Sequence, residues 1–164
     1  MRSPTDTAAG GNRTPAGTRR VAATVMGMLL FPLACHASLG GDTASVAADQ
    51  AELEAAQTLS TTADYTIYKL TAPSGLVLRE YALPSGSVFA VTWRGPTIPD
   101  LEQILGTYFR PYLKAAAAVR GSHGHSLVRL SDLVVETAGH MRAFRGKAYL
   151  PALVPQGVSA DSLE

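Results

Sequence analysis

Cysteine is almost missing from this 164-residue chain; the single thiol is Cys35. It lies in a segment that reads as an export leader. A chain cleaved after Ala37 would hold no cysteine, which excludes a disulfide framework and a thiol nucleophile. The missing staple is no obstacle, because a stretch as long as residues 38–164 can bury a core unaided. Charge is sparse too, at 16% of residues. The formal net charge of +1 hides an asymmetry: from Ser38 onward ten basic residues stand against twelve acidic ones. No global positive field favours nucleic acid as a partner. Long apolar runs are lacking after Leu33, so no transmembrane helix is expected in the mature chain.

The motifs of common chemistries are also missing. There is no H-E-x-x-H, no G-x-S-x-G, no G-x-G-x-x-G and no phosphate-binding G-x-x-x-x-G-K-[ST]. No catalytic set and no cofactor are expected on these grounds. Hydrophobic residues nevertheless make up 46% of the chain, which suits a folded domain rather than a disordered one.

What is present begins with the leader. Arg19 and Arg20 precede an almost wholly apolar run from Val21 to Leu33, followed by A-C-H-A. This is the order of a secretory signal, with cleavage expected after Ala37. Two sharper readings compete with it. Thr18-Arg19-Arg20 could open a twin-arginine signal, but Ala22 and Ala23 stand where further apolar and Lys residues belong. Pro32-Leu33-Ala34-Cys35 resembles a lipobox, which would anchor a lipoprotein through Cys35, although Pro suits its first position poorly. The domain plan is a leader with an N-terminal extension over 1–37 and a single α+β domain over 38–164.

Within that domain, Thr43 to about Ala56 reads as a helix with a thin apolar side, Asp49, Glu52 and Glu54 falling mostly on the other side. Leu59 to Ala63 reads as a Thr/Ser linker. Three β-rich runs between Tyr65 and Trp93 are separated by Pro73-Ser74-Gly75 and Pro84-Ser85-Gly86, which predicts an antiparallel meander. Phe89, Val91 and Trp93 are expected on one core face. Arg79 and Glu80, being adjacent, should point to opposite faces. Asp100 should cap a helix with Gln103 completing a capping box. Leu101, Ile104, Leu105, Tyr108, Phe109, Tyr112 and Leu113 then form one apolar stripe, kinked at Pro111 and ending near Val119. Ser126 to Thr137 reads as one strand or two short ones, with a turn at Ser131-Asp132. Ala138-Gly139 reads as a second turn before a strand over Met141–Leu150, and the tail after Pro151 as extended. The expected order is α-β-β-β-α-β-β. It gives an α+β fold whose antiparallel sheet, a three-stranded meander plus a C-terminal hairpin, is packed by one or two helices.

Four stretches carry a likeness: S-L-G-G, Y-x-I-Y-K-L, L-R-E-Y-A-L-P-S-G-S-V-F-A-V-T-W-R-G-P and G-H-M-R-A-F-R-G-K-A-Y-L-P-A-L-V-P. In this order they resemble a family of small exported proteobacterial proteins classed only as a domain of unknown function. The resemblance implies export and a single domain; it transfers no catalytic residue.

Candidate chemistry is limited. His123 and His125, with His140 further on, could serve a small hydrolase or metal-dependent enzyme if a third ligand came near, though a solvated Gly/Ser loop is the simpler reading. Arg142, Arg145 and Lys147 give the C-terminal segment a local positive surplus suited to an anionic ligand, against the plain reading of a charged sheet edge. Arg145 and Lys147 should share one face of their strand. Trp93 and Arg94 could present an aromatic and a cation to a ligand, although burial of the Trp is the simpler expectation. These residues point to an exported, non-enzymatic binding or interaction protein of the bacterial cell envelope. Its partner would be an envelope protein or an anionic ligand in the periplasm or beyond.

Overall fold

The computed structural model describes residues 39–118 and 124–164. The leader, with Ala37, Cys35 and the cleavage site, lies outside the described residues, and so does His123.

Among the described residues seven strands, β1 (Ala56–Thr61), β2 (Thr66–Thr71), β3 (Val77–Ala82), β4 (Val88–Gly95), β5 (His125–Arg129), β6 (Val134–His140) and β7 (Ala143–Tyr149), form one antiparallel sheet in the order β1-β2-β3-β4-β7-β6-β5. The two P-S-G turns join β2 (Thr66–Thr71), β3 (Val77–Ala82) and β4 (Val88–Gly95) as expected. Gly75 and Gly86 both take positive φ in these turns, which other residues adopt reluctantly. The meander has a fourth strand. β1 (Ala56–Thr61) occupies most of the stretch read as a linker and pairs with β2 in full register. Its Thr and Ser residues suit an exposed edge as well as a loop, so composition hid it.

After β4 the chain crosses to the far edge and returns as a second meander. β5 (His125–Arg129) and β6 (Val134–His140) flank the Ser131-Asp132 turn, and β7 (Ala143–Tyr149) pairs with β4. The hairpin of the expected fold is therefore three strands welded into the main sheet. Ala138-Gly139 is no turn; it lies inside β6. The turn falls at Met141-Arg142, where Arg142 takes φ +66. Gly139 is glycine for another reason: a Cβ there would come 2.3 Å from the Ala143 carbonyl oxygen.

Three helical segments pack against one face. α1 (Thr43–Glu52) is capped by the Asp42 side chain. It turns Ser45, Val46 and Asp49 inward, so Asp49 is buried rather than solvated. α2 (Leu101–Leu105) is capped by Asp100, whose carboxylate accepts from the Glu102 and Gln103 amides. Half of the expected capping box forms. The Gln103 side chain instead donates to Asp49 Oδ1. The long helix is broken, and Pro111 is not the cause. Gly106 ends α2 with φ +50, a 3₁₀ turn follows over Gly106–Tyr108, and α3 (Phe109–Ala118) starts anew. Pro111 sits in the first turn of α3, where its missing N–H costs nothing. The stripe holds through Tyr112, but Leu113 is 49% exposed.

All of Val88–Trp93 is buried, because both faces of β4 are covered. A register shift between Tyr81 and Ala82 pairs Ala82 with Val88 and Tyr81 with Ala90, leaving Phe89 as the extra residue. Phe89 consequently leaves the face of Val91 and Trp93. It joins Tyr81, Ala90 and Leu163 in a second, smaller core. The tail after Pro151 builds that core's other wall through two short 3₁₀ turns, Pro151–Leu153 and Ala160–Ser162, rather than running extended. Leu39, Val46, Leu78, Val91, Trp93 and Leu105 lie in the main core under the helices.

Candidate anion-binding site

In an antiparallel sheet, residues directly opposite share a face. On the face away from the helices, the register sets three rows. The first, Ile67, Tyr81, Ala90, Tyr149 and Val134, is mostly apolar and lies on the side that the tail covers. The second runs Lys69, Arg79, Thr92, Lys147 and Glu136. The third runs Thr71, Val77, Arg94, Arg145, Ala138 and His125. The pairing of β4 with β3 on one side and β7 on the other brings four cations together: Arg79, Arg94, Arg145 and Lys147. With Thr92, Glu136 and the tail residues Leu163 and Glu164 they line a pocket of about 330 Å³.

The cations differ in how they are held. Arg79 donates from Nη1 to the Glu164 main-chain oxygen at 2.9 Å, and the Tyr81 hydroxyl donates to the same oxygen at 2.7 Å. Lys147 Nζ lies 3.5 Å from Glu136 Oε2 and 3.4 Å from Asp161 Oδ1, and donates to the Ala160 carbonyl at 3.2 Å. Glu136 also pairs with His125 Nε2 at 3.2 Å. Its carboxyl is held below the usual carboxylate value, foremost by the His125 hydrogen bond, against a desolvation effect, and then by the Lys147 charge.

Arg94 and Arg145 are directly opposite each other, both exposed at the sheet surface, and neither meets a counter-charge among the described residues. Like charges placed opposite across two strands are destabilising. Two residues before Arg94, the buried Thr92 hydroxyl has no hydrogen-bond partner among the described residues. The two guanidinium groups present N–H donors suited to an oxyanion, and the Thr92 hydroxyl is buried on the same face, in the neighbouring row between Arg79 and Lys147.

Of the residues singled out by sequence, Arg94, Arg145 and Lys147 converge on this pocket. Arg145 and Lys147 share a face as expected. His140 and Arg142 are exposed at the β6–β7 turn and line a second, larger depression of about 1210 Å³ that Arg94 and Arg145 also line. Trp93 borders the pocket, but alternation along β4 turns its side chain to the opposite face. It is 3% exposed and points into the helix-side core. Its indole lies over Gly146, the one residue between Arg145 and Lys147. His125 and His140 share a face on β5 and β6, but no group of three His, Cys, Asp or Glu that could hold a metal occurs among the described residues. Arg79, Thr92 and Glu136 were missed. Thr92 shares the face of Arg94 by alternation along β4 and Arg79 sits opposite it across the β3–β4 hairpin, whereas Glu136 enters only through the pairing of β6 with β7.

The opposite face carries a second polar cluster. Glu80 lies in an otherwise apolar row with Tyr68, Val91, Ala148 and Val135. Adjacent Arg79 points the other way, as the alternation requires. Burial pushes the Glu80 carboxyl up to about 9, helped by its hydrogen bond to Asp49 and by that residue's negative charge. Protonated Glu80, Asp49 and Gln103 thus tie β3, α1 and α2 together inside the core.

No helix among the described residues is long and apolar enough to cross a membrane. A comparison with the curated proteins and with the solved structures gave no match. The family described as "Protein of unknown function (DUF2844)" matches over residues 35–163, which takes in all seven strands and every residue of the cationic pocket but Glu164. The resemblance seen in the sequence blocks is therefore a family relationship, and the chain belongs to the DUF2844 family.

Proposed function

We propose that this chain is a non-enzymatic binding protein of the bacterial cell envelope that holds an anionic ligand between Arg94 and Arg145. The observation that carries the reading is that cross-strand pair, left without counter-charge beside the buried Thr92 hydroxyl. Guanidinium groups suit phosphate and carboxylate oxygens because their N–H donors match the geometry of an oxyanion. Titration calorimetry with inorganic phosphate tests it. Saturable binding that disappears in Arg145→Ala and weakens as salt rises supports the site. Heat that is unchanged in Arg145→Ala would refute it.

The envelope destination rests on the leader. Arg19, Arg20, the apolar run to Leu33 and the small residues before Ala37 support export, with cleavage after Ala37 or lipid attachment at Cys35 as the two processing routes. Intact mass of the protein recovered from the envelope of an expressing bacterium separates them. A mass starting at Ser38 indicates a released protein, a lipid-bearing mass starting at Cys35 an anchored one. An unprocessed chain contradicts export.

A further inference from the structure

Among the described residues β1 ends the sheet, and its own sequence carries none of the devices that keep strand edges apart. Ala56–Thr61 contains no charged residue, proline or glycine, and its register with β2 is unbroken. Such an edge leaves a row of backbone N–H and C=O groups open to another strand. The opposite edge, β5, is shorter and carries His125 and Arg129. On β1, Leu59 is 61% exposed and lies directly opposite Tyr68 of β2, on the helix side of the sheet.

We propose that β1 pairs antiparallel with β1 of a second copy of this chain, about a twofold axis that passes beside Leu59. A twofold axis perpendicular to the sheet keeps like faces on the same side, so one residue must sit opposite its own copy. Centring on Leu59 sets leucine against leucine, Thr58 against Ser60 and Gln57 against Thr61. Every pair then matches in polarity, and the exposed leucine is buried. Centring on Thr58 sets Leu59 against Gln57, and centring on Ser60 sets it against Thr61; either leaves the leucine facing a polar partner. Apolar pairs and Thr–Ser pairs are favourable across antiparallel strands, and no charge opposes another here. The assembly doubles the sheet and displays both Arg94–Arg145 clefts on one face. That last consequence rests on the anion-binding reading; the pairing itself does not.

Sedimentation velocity over a range of concentrations, on protein as the producing cell leaves it, tests the pairing. A concentration-dependent dimer is expected. Leu59→Lys should weaken it by about tenfold or more while the circular dichroism spectrum stays unchanged. Leu59→Cys should crosslink under mild oxidation whereas Gln57→Cys should not, with the unsubstituted chain as the control for Cys35. A chain that stays monomeric at every concentration overturns the proposal. So does a dimer that Leu59→Lys leaves intact, or crosslinking through Gln57→Cys rather than Leu59→Cys.

Discussion

The indole of Trp93 lies against Gly146 so closely that a Cβ built on the glycine would fall 2.2 Å from Trp93 Cζ2. The two residues are cross-strand partners on the helix side of β4 and β7. Their immediate neighbours, Arg94 and Arg145, are partners on the other side. The pairing of β4 with β7 thus sets this contact on one face directly behind the cation pair on the other, and a push on one strains the other.

Gly146→Ala should accordingly do two things. It should lower stability by about 1–3 kcal/mol, the usual cost of overpacking a filled core. It should also weaken phosphate binding, although no ligand-facing group is removed. Denaturant unfolding and calorimetry on the same sample read both effects. Unchanged stability would mean that both the indole and the Glu136 carbonyl, 2.7 Å from such a Cβ, move aside freely.

Glu80 predicts a pH dependence whose sign is fixed. Its carboxyl is raised from 4.5 to about 9 in the folded chain. Below pH 4.5 both folded and unfolded states hold the proton, and the contribution is fully present. Between 4.5 and 9 only the folded state holds it, so stability falls with rising pH, by up to about 1.4 kcal/mol per unit. Glu80→Gln keeps a donor toward Asp49 without the titrating proton, and should flatten the slope. Urea unfolding at several pH values checks this; parallel slopes for the two chains would count against a protonated Glu80.

Arg94→Glu replaces a like-charged cross-strand pair by an opposite one. It should raise the stability of the free protein by about 0.2–1 kcal/mol while abolishing phosphate binding. Thermal unfolding with and without phosphate would show the trade. A loss of stability in the free variant would show that the two arginines are not in mutual repulsion.

The helix break provides a further contrast. Pro111→Ala should be close to neutral, because Pro in a first turn removes no hydrogen bond. Gly106→Ala should cost about 1–3 kcal/mol, because the position takes φ +50.

Much of the fold was legible where the chain speaks locally. The P-S-G turns marked the central meander, Asp100 marked a helix start, and alternation put Arg145 beside Lys147 on one face. The remainder depended on partners distant in sequence. β1 has the composition of a loop and becomes a strand because β2 offers it an edge. Asp49 reads as a solvated residue of α1 until Gln103 and Glu80 meet it in the core. Gly139 carries a turn's signal for what is a close backbone approach. At the site, Arg94 and Arg145 stood out as cations, but only the pairing of β4 with β7 puts them together; Arg79 and Thr92 join them through β4 and its hairpin with β3.

Thr92→Val separates a hydroxyl kept for an anion from one that is merely buried. Valine matches threonine in shape and removes only the hydroxyl. Relieving an unsatisfied buried polar group should stabilise the free protein by about 1–3 kcal/mol. If that hydroxyl is held for an anion, the same variant should bind phosphate more weakly. Unfolding free energy and phosphate affinity, measured together on Thr92→Val and the unsubstituted chain, give the answer. Higher stability with lower affinity is the predicted result; unchanged phosphate affinity, or a less stable free protein, would contradict the account.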